Sequence, residues 1–104
     1  MEFQPNTENQ PYALLVELEV AQKNVQAVCE VLTELQNFAL EEKGCNAYEI
    51  LQSEENSGKI YLYECYENPA AHNIHTNSNY FRDIVPDKLN PLIMEKRITK
   101  VVTV

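Results

Sequence analysis

In a chain with two histidines and no tryptophan, few side chains can move a proton near neutral pH. One carboxylate stands out by its surroundings. Glu64 sits inside Lys59-Ile-Tyr-Leu-Tyr-Glu-Cys-Tyr66, the strongest β-forming run of the sequence. Strand alternation puts it on the side shared by Ile60, Leu62 and Tyr66. An unpaired carboxylate there would cost several kcal/mol, so it must be paired, hydrated in a cavity or protonated. Two readings stay open for it. One is a pocket group acting as acid, base or histidine orienter; the other is an ion-pair partner for Lys or Arg on a neighbouring strand or subunit. His72 and His75, three apart, share one helical face. With no third ligand nearby they do not read as a metal site, and either one also fits a surface or core position. Six tyrosines offer aromatic walls with hydroxyl handles suited to a flat polar ligand, although strand tyrosines serve equally as core or interface residues. No Gly-rich phosphate loop and no G-x-S-x-G turn is present.

The elements that must position these groups follow from periodicity. Residues 1–10 lack it and read as a loose arm before a domain over 11–104. Tyr12 to Val20 is a strand with Leu14, Val16, Leu18 and Val20 on one face. Residues 22–43 read as a helix whose Val25, Val28, Cys29, Leu32, Leu35 and Ala39 follow steps of three and four, with Gly44 as its C-cap. Cys45 to Gln52 is a second strand; a turn over 53–58, with Asn56 and Gly58 suited to positive φ, leads into the third. Asn68 caps a helix with Pro69 in its first turn, running to about Asn77. A further helical stretch carries Tyr80, Phe81, Ile84 and Val85, is kinked at Pro86, and resumes through Leu89 and Leu92. Ile98 to Val104 closes the chain as a strand.

The order β-α-β-β-α-β predicts an α+β, ferredoxin-like fold with both helical layers on one face of a four-stranded antiparallel sheet. The opposite sheet face should then be wet. Instead Tyr61, Tyr63 and Cys65 make the third strand apolar there too, and Val101-Val102 repeats the pattern. Strands apolar on both faces need cover on both, so a homodimer packed through its sheet faces is expected.

The 104 residues allow one domain with a single core, and 44% apolar content argues against disorder. A net charge of −8 argues against nucleic-acid and anionic-membrane partners. The charge is uneven: eleven acids and two bases up to Glu55 give −9, while five acids and six bases from Asn56 onward give +1. Cys29, Cys45 and Cys65 lack zinc-ligand spacing and read as buried thiols of a reducing compartment. No apolar leader or membrane-length run is present, so a cytoplasmic protein is expected.

The stretch Gly44 to Phe81 resembles the antibiotic biosynthesis monooxygenase family of small dimeric ferredoxin-like proteins, a dimeric α/β-barrel architecture. The resemblance is carried by Gly44-Cys45 before Tyr48-Glu49-Ile50, by Tyr63-Glu64-Cys65-Tyr66-Glu67, by His75 after a short helix, and by Ser78-Asn79-Tyr80-Phe81. Members often have Ser/Thr-Pro-His-Phe/Tyr at the last site, so Asn79 replaces a proline and Tyr80 a histidine. The first strand and long helix fit in length and polarity, extending the likeness over about residues 11–104. It implies a small-molecule pocket between sheet and helices and cofactor-independent oxygenation of an aromatic polyphenol or quinol, with no cofactor and no metal. His75 would be the base or hydrogen-bond partner and Glu64 its orienter or a second anchor. Tyr66 and Tyr80 would donate hydroxyls to substrate oxygens, with Asn79 and Arg82 beside them. Tyr66 stands where members frequently have Trp, and the lack of tryptophan argues against the related heme-degrading members. Two alternatives come with the same resemblance. One is an isomerase of a small phosphorylated dione, with Arg82, Lys88 or Arg97 as the phosphate's cation; the other is a non-enzymatic dimeric ligand-binding domain.

Overall fold

Burial alternates residue by residue along the third strand, where Ile60, Leu62, Glu64 and Tyr66 are buried and the residues between them half-exposed. This alternation organises the whole molecule. The computed structural model describes residues 7–104. Its sheet is four-stranded and fully antiparallel, in the order β2-β3-β1-β4, with β1 Tyr12–Val20, β2 Cys45–Gln52, β3 Lys59–Tyr66 and β4 Ile93–Val101. Three helices, α1 Val25–Glu41, α2 Pro69–Thr76 and α3 Asn79–Ile84, complete the expected ferredoxin-like α+β order. The core joins Leu14, Val16, Leu18 and Val20 of β1 to Val28, Leu32, Leu35 and Ala39 of α1 and to Ile60 and Leu62 of β3. These are the positions that the sequence periodicity selects.

Several boundaries differ from expectation, each for a local reason. The first helix is shorter than 22–43: Gln22–Asn24 form a 3-10 turn and α1 begins at Val25, because Asn24 sits at φ −104°, ψ −3° and supplies no side-chain cap. The helix ends when Glu42 turns extended, its N–H donating to Ala39 O at 3.0 Å. Gly44 is therefore not a left-handed C-cap, and no described residue has positive φ, Asn56 and Gly58 included. The glycines answer to crowding instead. A Cβ on Gly44 would lie 2.5 Å from the Ala71 Cβ, and one on Gly58 would lie 2.4 Å from the Val20 carbonyl oxygen.

The expected caps of α2 form, with the Asn68 side chain accepting from Ala71 N at 2.8 Å and Pro69 in the first turn. Ser78 caps α3 by accepting from Phe81 N at 3.3 Å. Pro86 falls in a π-helical turn, Val85–Leu89, followed by a 3-10 turn at Asn90–Leu92. The closing strand is Ile93–Val101, not 98–104; it pairs along β1 from Val20↔Ile93 to Ala13↔Val101. As an edge strand it has one neighbour, so Glu95, Lys96 and Arg97 sit in it at little cost, and their charge masks its alternation in the sequence. Of the expected arm over residues 1–10, residues 1–6 lie outside the described residues, and Thr7–Asn9 form a 3-10 turn. Cys29, Cys45 and Cys65 are free thiols, half-buried where full burial was expected.

Candidate active site

The helical layer leaves β4 uncovered: Ile98 lies opposite Val16 on the core-facing side of the sheet yet is 58% exposed. Beside it a cavity of about 300 Å³ opens between sheet and helices, a volume at the small end of ligand pockets. Its floor is Leu14, Val16 and Leu18 of β1 with Leu62 of β3. Its far wall is Leu35, Phe81, Val85 and Leu89, and its polar side chains include Glu64, His72, His75, Thr76, Tyr48 and Lys96.

Glu64 is where β3 alternation puts it, between Leu14 and Tyr48 in register and buried. The Tyr66 hydroxyl donates to its Oε1 at 2.6 Å. Burial raises its carboxyl above the ordinary range, opposed by the Tyr66 hydrogen bond and by His75. His75, on the inner side of α2, is only 2% exposed. Its Nδ1 lies 2.9 Å from Glu42 Oε2 and 2.7 Å from the Tyr80 hydroxyl, which itself donates to Glu42 Oε2. Nε2 stands 3.7 Å from Glu64 Oε1, beyond hydrogen-bond range. With an acceptor at Nδ1 and the Tyr80 proton already committed to Glu42, the network assigns the proton of a neutral His75 to Nδ1. The Nε2 lone pair is left on the side of Glu64 and the cavity.

His72 stacks on Tyr12 with ring centroids 4.4 Å apart, and burial, then His75, holds its pKa below the usual histidine value. Desolvation likewise pushes the Tyr48, Tyr66 and Tyr80 hydroxyls up, so all three stay neutral, Tyr66 and Tyr80 as hydrogen-bond donors. The Cys45 thiol, pushed up to about 11 by burial and by Glu42, is no thiolate nucleophile. Among the described residues no group of three or more His, Cys, Asp or Glu side chains could hold a metal ion. No described helix is long and apolar enough to cross a membrane.

Of the residues singled out in the sequence, the fold brings together His75, Glu64, Tyr66 and Tyr80. The two tyrosines lie behind the acid–base groups, their hydroxyls on Glu64 and Glu42, and do not line the cavity. Asn79 and Arg82 are exposed on α3 and line no part of it. Three participants are new. Glu42 reads in sequence as part of a solvated helix end, and Lys96 as part of a charged run. His72 carried a signal, its three-residue spacing from His75, but no role.

A helix-roofed ferredoxin-like sheet with a buried histidine between two carboxylates defines a small acid–base pocket. The sequence model of the family described as antibiotic biosynthesis monooxygenase matches residues 11–87, and the chain belongs to that family. A search of curated proteins finds no match. Among solved structures, a conserved Bacteroides thetaiotaomicron protein of unknown function, named a possible oxidoreductase, is 25% identical; the alignment covers 89% of this chain and 97% of that one with a TM-score of 0.83. A Pseudomonas aeruginosa protein is 22% identical, with 93% and 97% covered and a TM-score of 0.83. A candidate antibiotic biosynthesis monooxygenase of Nitrosomonas europaea is 19% identical, with 99% and 95% covered and a TM-score of 0.85. At these identities the last two likenesses speak to the fold.

Proposed function

We propose that the chain is a cofactor-independent monooxygenase that oxidises a small aromatic polyphenol or quinol with dioxygen, using His75 as its base. The observation that carries this reading is the pairing at His75. Nδ1 is held by Glu42 and Tyr80 while Nε2 faces Glu64 in an apolar cavity. A base fixed in this way takes a phenolic or benzylic proton on Nε2. The C–H or O–H electron pair stays on the electron-rich ring, which passes two electrons to dioxygen as one C–O bond forms. The resulting peroxide takes up a proton, and loss of water leaves a carbonyl.

In this scheme the orienting role expected of Glu64 passes to Glu42. Glu64 faces the substrate side of the imidazole, and its raised carboxyl suits it to returning a proton to the peroxide. Tyr66 and Tyr80 act as positioning residues through the two carboxylates. The sheet face opposite the helices carries Leu15, Tyr61 and Tyr63, with no layer of the described residues over them. We take it as the interface of a homodimer, the assembly expected for strands apolar on both faces.

Oxygen uptake with a panel of quinols and anthrones tests the activity. The native chain should consume oxygen with at least one of them. His75→Ala should lower kcat by about 10²–10⁴-fold, the range of a lost general base. Full activity in His75→Ala, or proton exchange at carbon in a dione phosphate without oxygen uptake, would overturn the proposal, the second result in favour of an isomerase.

A further inference from the structure

Two cations stand on the sheet face that the helices should cover. In the β1–β4 register Lys96 lies opposite Leu18 and Lys100 opposite Leu14, flanking Ile98 opposite Val16. The apolar side of β1 therefore faces a strand whose matching positions read Lys, Ile, Lys. Lys96 lines the cavity. Its Nζ donates to Asn90 Oδ1 at 3.2 Å, in the turn that leads into β4. The Lys100 Nζ lies 4.7 Å from the centroid of the Tyr12 ring, itself a cavity wall. Among the described residues neither lysine has a carboxylate within 4.0 Å, whereas Lys59 and Lys88 do. In a chain of net charge −8 these lysines have no ion-pair partner among the described residues, and they stand at an apolar opening that the described residues leave uncovered. Glu64 lies deep in the cavity and close enough for the charge of Lys96 to act on it.

We infer that the cavity takes an amphipathic organic anion, its ring system on the Leu14–Val16–Leu62 floor and a carboxylate or phosphate at the opening against Lys96, with Lys100 adding a weaker field. This inference deepens the proposed function by naming the substrate class, and it rests on that reading of the pocket. The physical ground is that an ammonium group beside an apolar surface loses competing water when a ligand ring covers that surface, so its attraction for an anion grows. Lysine stems lying along the sheet add to the apolar contact.

Calorimetric titration with bicyclic probes tests it without knowledge of the substrate. The probes are 1-naphthol, 1-hydroxy-2-naphthoate, 1-naphthyl phosphate and inorganic phosphate. At low ionic strength the native chain should bind at least one naphthyl anion about tenfold more tightly than 1-naphthol, equivalent to about 1.4 kcal/mol. The stronger of the two anions identifies carboxylate or phosphate as the preferred head group. Lys96→Gln should bring that anion to parity with 1-naphthol while leaving 1-naphthol affinity unchanged. Lys100→Gln should cost about two- to threefold, and Arg82→Gln, remote from the cavity, nothing. Parity in the native chain, or a preference that survives Lys96→Gln, overturns the inference but leaves the oxygenase reading intact. Inorganic phosphate binding as tightly as naphthyl phosphate overturns it as well, because the ring then contributes nothing. If no naphthyl probe binds at millimolar concentration, both the inference and the aromatic pocket fall together.

Discussion

Replacing Glu42 with alanine removes the one acceptor shared by His75 Nδ1 and the Tyr80 hydroxyl. A hydrogen bond to a charged group contributes about 1.5–3 kcal/mol. Two are lost here, but not independently, because Nδ1 and the Tyr80 hydroxyl also meet each other at 2.7 Å and keep that contact. One donor, the hydroxyl of half-buried Tyr80, is thus left without its acceptor. The side chains of His75 and Glu42 are 3% and 17% exposed, so water restores little of the loss. The expected cost is about 2 kcal/mol for Glu42→Ala and about half of that for Glu42→Gln, whose carbonyl still accepts one bond. Urea denaturation at fixed protein concentration measures it, and at the m-values usual for small domains the midpoint should fall by roughly 1 M. Imidazole nitrogen NMR supplies a readout that general destabilisation does not imitate. In the native chain His75 should be the Nδ1–H tautomer; in Glu42→Ala it should become a mixture. A loss below about 0.5 kcal/mol together with an unchanged tautomer would refute the assignment of Glu42 as the group that holds the ring.

Two more outcomes follow from burial. The carboxyl of Glu64 is raised by desolvation, so between the ordinary carboxylate value of about 4.3 and its own the folded chain binds more protons than the unfolded one, and stability falls as pH rises through that window. Glu64→Gln should therefore be more stable than the native chain at neutral pH, with the difference closing below about pH 4; pH-resolved thermal melts check it, and a variant less stable at neutral pH than at acid pH, relative to native, contradicts it. On the outer sheet face, Tyr63→Asp places a carboxylate beside Leu15 and, in the proposed dimer, against the partner sheet. Sedimentation velocity at micromolar concentration should show a native dimer and a monomeric variant, and a native monomer would remove the sheet-to-sheet arrangement.

Legibility in the sequence followed physical visibility. Glu64 could be read because it breaks an otherwise strict apolar alternation in one strand, a violation that needs no partner to be seen. Strands β1 to β3 and the buried side of α1 were readable for the same reason. His75 was singled out by resemblance, but its partner was not, because Glu42 lies 33 residues earlier and in sequence only extends Glu41 and Lys43 into an ordinary charged helix end. What exposes it is the departure of Glu42 from α1 into extended backbone, and no local propensity announces that. Lys96 was hidden by a similar disguise. Glu95-Lys96-Arg97 reads as a polar connection until pairing with β1 shows Lys96 opposite Leu18. Groups whose role depends on a tertiary neighbour were the ones missed.

A short helix carries the buried histidine. At eight residues α2 is too short to persist by itself, yet it must hold His75 within 2.9 Å of a carboxylate at the end of another helix. Three fastenings compensate. The Asn68 cap fixes its first turn, the Tyr12–His72 stack ties its middle to β1, and Glu67 N donates to Gly44 O at 2.8 Å where β3 ends. The last of these explains the glycine. Because Gly44 has no Cβ, Ala71 occupies the space directly above it, and any larger residue would meet Ala71 at 2.5 Å. Displacing Ala71 would move α2 away from Glu42, since His75 follows it by one helical turn. Gly44, two residues beyond Glu42, therefore sets the distance across which the carboxylate reaches the ring, and the residue that looked like a helix stop serves as the seat of the helix that bears His75.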